Sequence, residues 1–170
     1  MSGYGASHSG GVRGMMGGVI RLFEAIPYVL VALVLRLTIA HPFFVSGQTK
    51  VEGPSVGRDF GWLDLTFTVP TRLREATFTL FADDYKVPLL PTELAAYLAT
   101  FAEHVLPILI VVGLATRFAS FGLLVMTCVI QIFVYPDAWW TVHAYWVAIL
   151  LVLITKGPGA ISLDRFWRKA

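Results

Sequence analysis

Four side chains that can exchange protons or grip a polar ligand lie inside long apolar runs: Arg36, Glu103, Gln131 and His143. A charged group held in hydrocarbon costs at least a few kcal/mol, so each is a functional candidate by default. Their chemistry is complementary. A carboxylate can relay protons, guanidinium and imidazole can donate to ligand oxygens, and a carboxamide can orient either. At helical spacing Arg36 shares a stripe with Ala32, Leu33, Ala40 and Phe43, and Glu103 one with Ala96, Ala99 and Thr100. Gln131 continues a weakly polar stripe of Ser120, Thr127 and Cys128. Each polar group is thus expected on a face turned toward other helices, at mid-depth or in the outer half of the membrane. Arg36 and Glu103 are the natural ion pair, because either alone would be an uncompensated charge. Pro107 lacks an N–H, so it should kink its helix and free the carbonyl of Glu103. Two readings follow. The group is either a structural network that fastens helices together, or a pocket opening to the outer leaflet. His104 points about 100° away from Glu103 and belongs to another surface, which disfavours a haem held by His104 and His143. No metal site is expected. Cys128, the single cysteine, excludes an internal disulfide, a CxxC pair and a cysteine zinc site, and reads as a small packing residue.

The elements that carry these residues are membrane spans. Of 170 residues 56% are hydrophobic and 14% charged, against roughly 25% charged in soluble domains. A net charge of +2 and the lack of a basic run argue against nucleic acid as a partner. Apolar runs over about Val19–Phe44, Leu94–Leu114, Phe118–Val134 and Ala138–Thr155 are each long enough to cross about 30 Å of hydrocarbon. The first is too long, and carries Arg36 too deep within it, for a cleavable signal. Arginine and lysine set the orientation. Arg13 and Arg21 precede the first span, Arg117 separates the second and third, and Lys156, Arg165, Arg168 and Lys169 follow the fourth. Both termini are therefore expected on the cytoplasmic side. Trp62, Tyr85, Tyr97, Trp139 and Trp140 would form the outer aromatic belt.

Residues 1–18, with seven glycines, read as a flexible cytoplasmic tail, residues 19–166 as the membrane domain, and 167–170 as a cytoplasmic C-terminus. Within the domain, 41–93 is a periplasmic connection. There Leu65, Phe67 and Val69 alternate with threonines as in a short strand. Thr71 is placed to cap an amphipathic helix from Arg72 to about Phe81. The expected fold is an all-α membrane protein, a four-transmembrane-helix bundle with a short periplasmic cap between helices 1 and 2.

The stretch FAEHVLPILIVVGLATRFASFGLLVMTCVIQIFVYPDAWW (101–140), followed by GPGAISLD (157–164), resembles the DoxX family of bacterial membrane proteins. The similarity extends over about residues 20–166. In the family pattern a first-helix arginine precedes a Gly…Lys element, matched here by Arg36, Gly47 and Lys50. A second helix with glutamate and proline leads into a Gly-Leu-x-x-Arg turn, matched by Glu103, Pro107, Gly113, Leu114 and Arg117. The resemblance implies a four-helix bundle in a bacterial inner (plasma) membrane and adds Lys50 to the ligand-binding candidates, with Pro107, Gly113 and Arg117 as structural ones. Relatives include DoxD-like subunits of an archaeal thiosulfate:quinone oxidoreductase and a mycobacterial protein tied to a membrane oxidoreductase complex. The expectation is therefore a membrane subunit of a redox system, not catalytic alone, that binds a quinone or similar lipophilic molecule and carries no covalent cofactor. In it Arg36 and His143 would donate, Gln131 would orient and Glu103 would relay protons. Besides the lipid bilayer, its partners would be a redox subunit, a periplasmic protein or a second copy of itself. The alternatives are a non-catalytic scaffold or assembly factor docking a partner, and a small transporter, against which the lack of an inverted repeat speaks.

Overall fold

A computed structural model describes residues 9–61, 64–88 and 90–167. Four helical segments are long and apolar enough to cross a membrane, over Tyr28–Thr49, Thr92–Val112, Thr116–Val134 and Pro136–Lys156. They form a bundle in which most large side chains face outward, as a lipid-embedded fold requires. Phe101, Phe118, Phe121 and Ile132 are all more than half exposed. The protein-facing surfaces are lined instead by small residues (Ala32, Ala40, Ala96, Ala119, Ser120), which let helix backbones approach.

Helix α1 (Ser9–Glu24) covers part of the segment expected to be a flexible tail, while residues 1–8 lie outside the described ones. Pro27 is extended and starts α2 (Tyr28–Thr49), so the first apolar run is two helices and not one span. The long helix also runs past Phe44, through Pro42, to Thr49. The span is thereby shifted toward the C-terminus relative to the sequence expectation. Helix α4 (Thr92–Val112) packs along α2, and both α5 (Thr116–Val129) and α6 (Ala144–Lys156) complete the bundle. A seven-residue core of Ile39, Phe43, Ile110, Ala119, Leu123, Leu150 and Leu153 unites all four. A short helix α7 (Leu163–Trp167) ends the described chain, and residues 168–170, with the expected charges of Arg168 and Lys169, lie outside it.

Between α2 and α4 the chain forms a small cap. Strands β1 (Val51–Glu52) and β4 (Arg72–Leu73) pair antiparallel, as do β2 (Ser55–Val56) and β3 (Phe67–Thr68). The strand expected around Leu65–Val69 is thus present as β3. The helix expected from Arg72 is shorter. Arg72 and Leu73 are taken by strand pairing, Thr71 Oγ donates to the Glu52 carbonyl, and α3 starts only at Glu75 (Glu75–Thr79). It opens into wider π-helical turns over Leu80–Tyr85. Trp62, one of the expected belt residues, lies outside the described residues.

Candidate functional site

Two polar clusters occupy opposite ends of the bundle, and Arg36 and Glu103 belong to different ones. This corrects the expected ion pair. Arg36 lies closer to the Tyr28 end of α2, because the helix starts at Tyr28 and extends to Thr49. Its guanidinium donates to the carbonyls of Ile110 (2.7 Å), Val111, Pro158 (3.2 Å) and Ile161 (2.6 Å). Those carbonyls come from the last turn of α4 and the loop after α6. A cation that satisfies the free carbonyls of a helix C-terminus also complements its dipole. Arg36 is therefore spent on a clasp at the end of the bundle where α2 begins and α4 and α6 finish, away from Glu103. Gly113 makes the clasp possible. It has φ +73°, and a Cβ there would lie 2.5 Å from Ser162 Cβ and 3.0 Å from Arg36 Nη2. Arg117 sits at this end too, donating to the Thr155 carbonyl (3.3 Å).

At the other end, Glu103 is paired with Lys50, the residue contributed by the Gly…Lys element. Lys50 Nζ lies 2.9 Å from Glu103 Oε1 and 2.8 Å from Oε2, with side-chain exposures of 5% and 7%. Ser46 links them. Its hydroxyl donates to Oε1 (3.0 Å) and accepts from Lys50 Nζ (2.8 Å). Nζ also donates to the Ser46 carbonyl at 3.2 Å. Apart from Nζ at 2.8 Å, Glu103 Oε2 has no hydrogen-bond donor among the described residues. Sequence reasoning missed Lys50 as the partner because it placed the helix end near Phe44; in α2 the pair Ser46 and Lys50, four apart, stand on one face.

Gly47 lets α2 and α4 meet here. A Cβ on it would lie 2.8 Å from the His104 ring and 3.1 Å from Glu103 Cβ. His104 does face another surface than Glu103. Its Nδ1 bonds the Thr100 carbonyl (2.8 Å), and its Nε2 meets Gln48 Nε2 (3.0 Å). Gln48 in turn holds β3 by Thr68 N (2.6 Å) and O (3.2 Å), so His104 ties the cap to α4. His104 and His143 thus engage different partners.

Gln131 and His143 come together as expected. Gln131 Nε2 donates to the Pro136 carbonyl (2.6 Å), which fixes the orientation of its amide. Its Oε1, 2.6 Å from His143 Nδ1, must then accept a hydrogen bond from the N–H at that nitrogen. In the neutral ring Nε2 is consequently an acceptor. His143 was expected as a donor, and in this tautomer its one N–H is spent on Gln131. Both residues lie in π-helical turns, Ile130–Val134 and Trp139–His143, that interrupt the third and fourth spans.

Next to them lies a cavity of about 160 Å³, lined by Ser46, Glu103, His143 and Trp146, and by Phe81 and Tyr85 from the cap; Gln131 is not among its lining residues. The His143 and Trp146 rings lie 5.3 Å apart. Tyr85 was expected only as a belt residue. Burial, then the neighbouring Tyr135 and Glu103, push its phenol well above the usual range, so it stays protonated as a donor. Nothing in the sequence marks the π-helical turn that carries it inward. Cys128 was expected to pack inside the bundle, yet it is exposed on the lipid-facing side, because the buried stripe of α5 runs through Ser120, Leu123 and Thr127.

An uncharacterized protein of Haemophilus influenzae is 28% identical to the chain, over 81% of this chain and 83% of that one. No solved structure matches. The DoxX family model matches residues 31–136, the segment from the first turn of α2 to Pro136. The chain is a multi-pass membrane protein of the DoxX family.

Proposed function

We propose that the cavity at the capped end binds the ring of a quinone, or of a similarly lipophilic molecule, and that the chain is the membrane subunit of a redox system. The observation that supports this most is the convergence of three π-helical turns on one cavity, which they line with Tyr85, with Ile130 and Val134, and with His143. Such turns are rare and concentrate at functional sites. At about 160 Å³ the cavity is the size that accepts one six-membered ring, since an engineered cavity of about 150 Å³ binds benzene. Its polar groups are of both kinds. Tyr85 donates, while His143 Nε2 and Glu103 Oε2 accept. A quinol needs two acceptors for its hydroxyl protons, and a quinone needs donors for its carbonyls. His143 takes one proton, and Glu103, buffered by Lys50 and Ser46, takes the other. The two electrons exchange with a partner subunit.

A second reading, a scaffold that docks a partner, is favoured by the cap. Phe60 and Leu65 are each 53% exposed, and Phe67 and Val69 lie beside them. Extraction in mild detergent, with mass spectrometry of co-purifying quinones and polypeptides, separates the two. Quinone at near-stoichiometric amounts supports the redox reading, and a polypeptide without quinone the scaffold. The arginine and lysine bias puts the termini in the cytoplasm and the cap in the periplasm of a bacterial inner membrane. A reporter fused after Ala170 that reads periplasmic would refute that orientation.

A further inference from the structure

We infer that the opposite end of the bundle holds a site for the phosphate of an anionic phospholipid, independent of the redox reading. A cavity of about 400 Å³ there is lined by Tyr28, Arg117, Lys156, Asp164, Arg165 and the loop 157–162. Its depth matches that of lipid headgroups. Tyr28 and Lys156 are the first and last residues of their spans, and Arg117 is the second of its own.

The cavity's charge is positive and largely unspent. Asp164, the one carboxylate, is engaged by the N–H groups of Ala115 (2.6 Å) and Thr116 (3.0 Å). Against it stand Arg117, Lys156 and Arg165, brought from α5, α6 and α7. Arg117 makes one long bond, to Thr155, and Lys156 and Arg165 have no acceptor among the described residues.

The loop adds a polarity of its own. The Gly157 carbonyl accepts from Tyr28 Oη (2.8 Å), and those of Pro158 and Ile161 accept from Arg36. The Gly159 carbonyl accepts from Ser162 Oγ (2.9 Å) and that of Ser162 from Arg165 N (3.3 Å). Five of its six carbonyls are therefore occupied. The N–H groups of Gly159 and Ala160 have no acceptor among the described residues. A loop with its acceptors filled and its donors free, beside three cations, suits an anion. Ile161, Leu163 and Phe166, exposed at 60%, 46% and 77%, give the same edge an apolar contact with acyl chains. A phosphodiester anchored in lipid meets both features, whereas a soluble phosphate meets only the first.

The test uses the full chain in detergent, with native mass spectrometry of phosphatidylglycerol and phosphatidylcholine binding. Phosphatidylglycerol should bind more tightly, and Arg117→Gln and Lys156→Gln should each weaken it about fivefold, the usual contribution of one cation near an anionic headgroup. Lys156 is exposed, so its variant should keep the fold even where Arg117→Gln does not. Arg21→Gln, which removes a cation from α1, should leave binding within about twofold. An equal loss with Arg21→Gln, or equal binding of the two lipids, overturns the site. Displacement of the lipid by an equal concentration of inorganic phosphate overturns its assignment to a lipid.

Discussion

Breaking the Lys50–Glu103 pair should be costly, and removing it whole should not. Side-chain exposures of 5% and 7% put the pair among buried salt bridges, not among surface pairs that contribute about 0–1 kcal/mol. Loss of one partner strands a charge, at about 3–5 kcal/mol. Lys50→Met leaves the Glu103 carboxylate with only the Ser46 hydroxyl, and Glu103→Leu leaves the ammonium with only Ser46 Oγ and O. In a chain of this size each single change should lower Tm by about 6–20 °C, at roughly 2–4 °C per kcal/mol. The double change removes both charges. It leaves the Ser46 hydroxyl without its partners, which costs about 1 kcal/mol. Thermal unfolding of purified protein in detergent, followed by tryptophan fluorescence, reads all three variants. Single changes that each cost under about 1 kcal/mol, or a double change equal to the sum of the singles, would show that the pair does not couple α2 to α4.

Further outcomes follow from other contacts. Gly47→Ala should lower stability by about 1–3 kcal/mol, because the His104 ring it meets at 2.8 Å is held by Thr100 and Gln48 and cannot retreat; the same melting assay checks it. Asp164→Ala should cost about 1–2 kcal/mol by removing the cap on α5, measured as a fall in Tm. Tyr85 has its phenol raised above its ordinary 10.0 in the fold, so the native state keeps a proton that the unfolded chain loses. Its contribution is complete below about pH 10 and is lost as pH rises above that value. Tyr85→Phe should thus show a shallower alkaline loss of stability than the parent, and an unchanged slope would refute the burial of that phenol.

The four spans were legible because long apolar runs have few other uses, and Gln131 and His143 because a polar side chain in such a run stands out. The buried faces of α2 and α4 were readable from their small residues, whereas on α5 Cys128 was expected inward and is exposed. Depth was not. Pro27 divides the first run, and α2 continues through Pro42 to Thr49, which lowers Arg36 toward one end and brings Lys50 to Glu103. Helical spacing gives a residue's face, but its height depends on where the helix starts. The clasp of Arg36 on the 157–162 loop and the long-range cap from Asp164 depend on tertiary closure, to which local pattern is blind. The same holds for Tyr85, whose inward turn comes from a π-helical segment that hydrophobic spacing does not encode.

The central claim, a ring-binding cavity at the capped end, is tested most directly by equilibrium quenching of tryptophan fluorescence with a short-chain quinone. Trp146 lines the cavity beside His143, so a bound ring should quench it saturably. His143→Phe should weaken binding by about 1–3 kcal/mol, roughly five- to 150-fold, the usual cost of an unpaired buried polar group, with little change in Tm. Gln131→Leu should act in the same direction by releasing the imidazole tautomer. Quenching that rises linearly without saturation, or that saturates identically in the parent and in His143→Phe, would contradict the account.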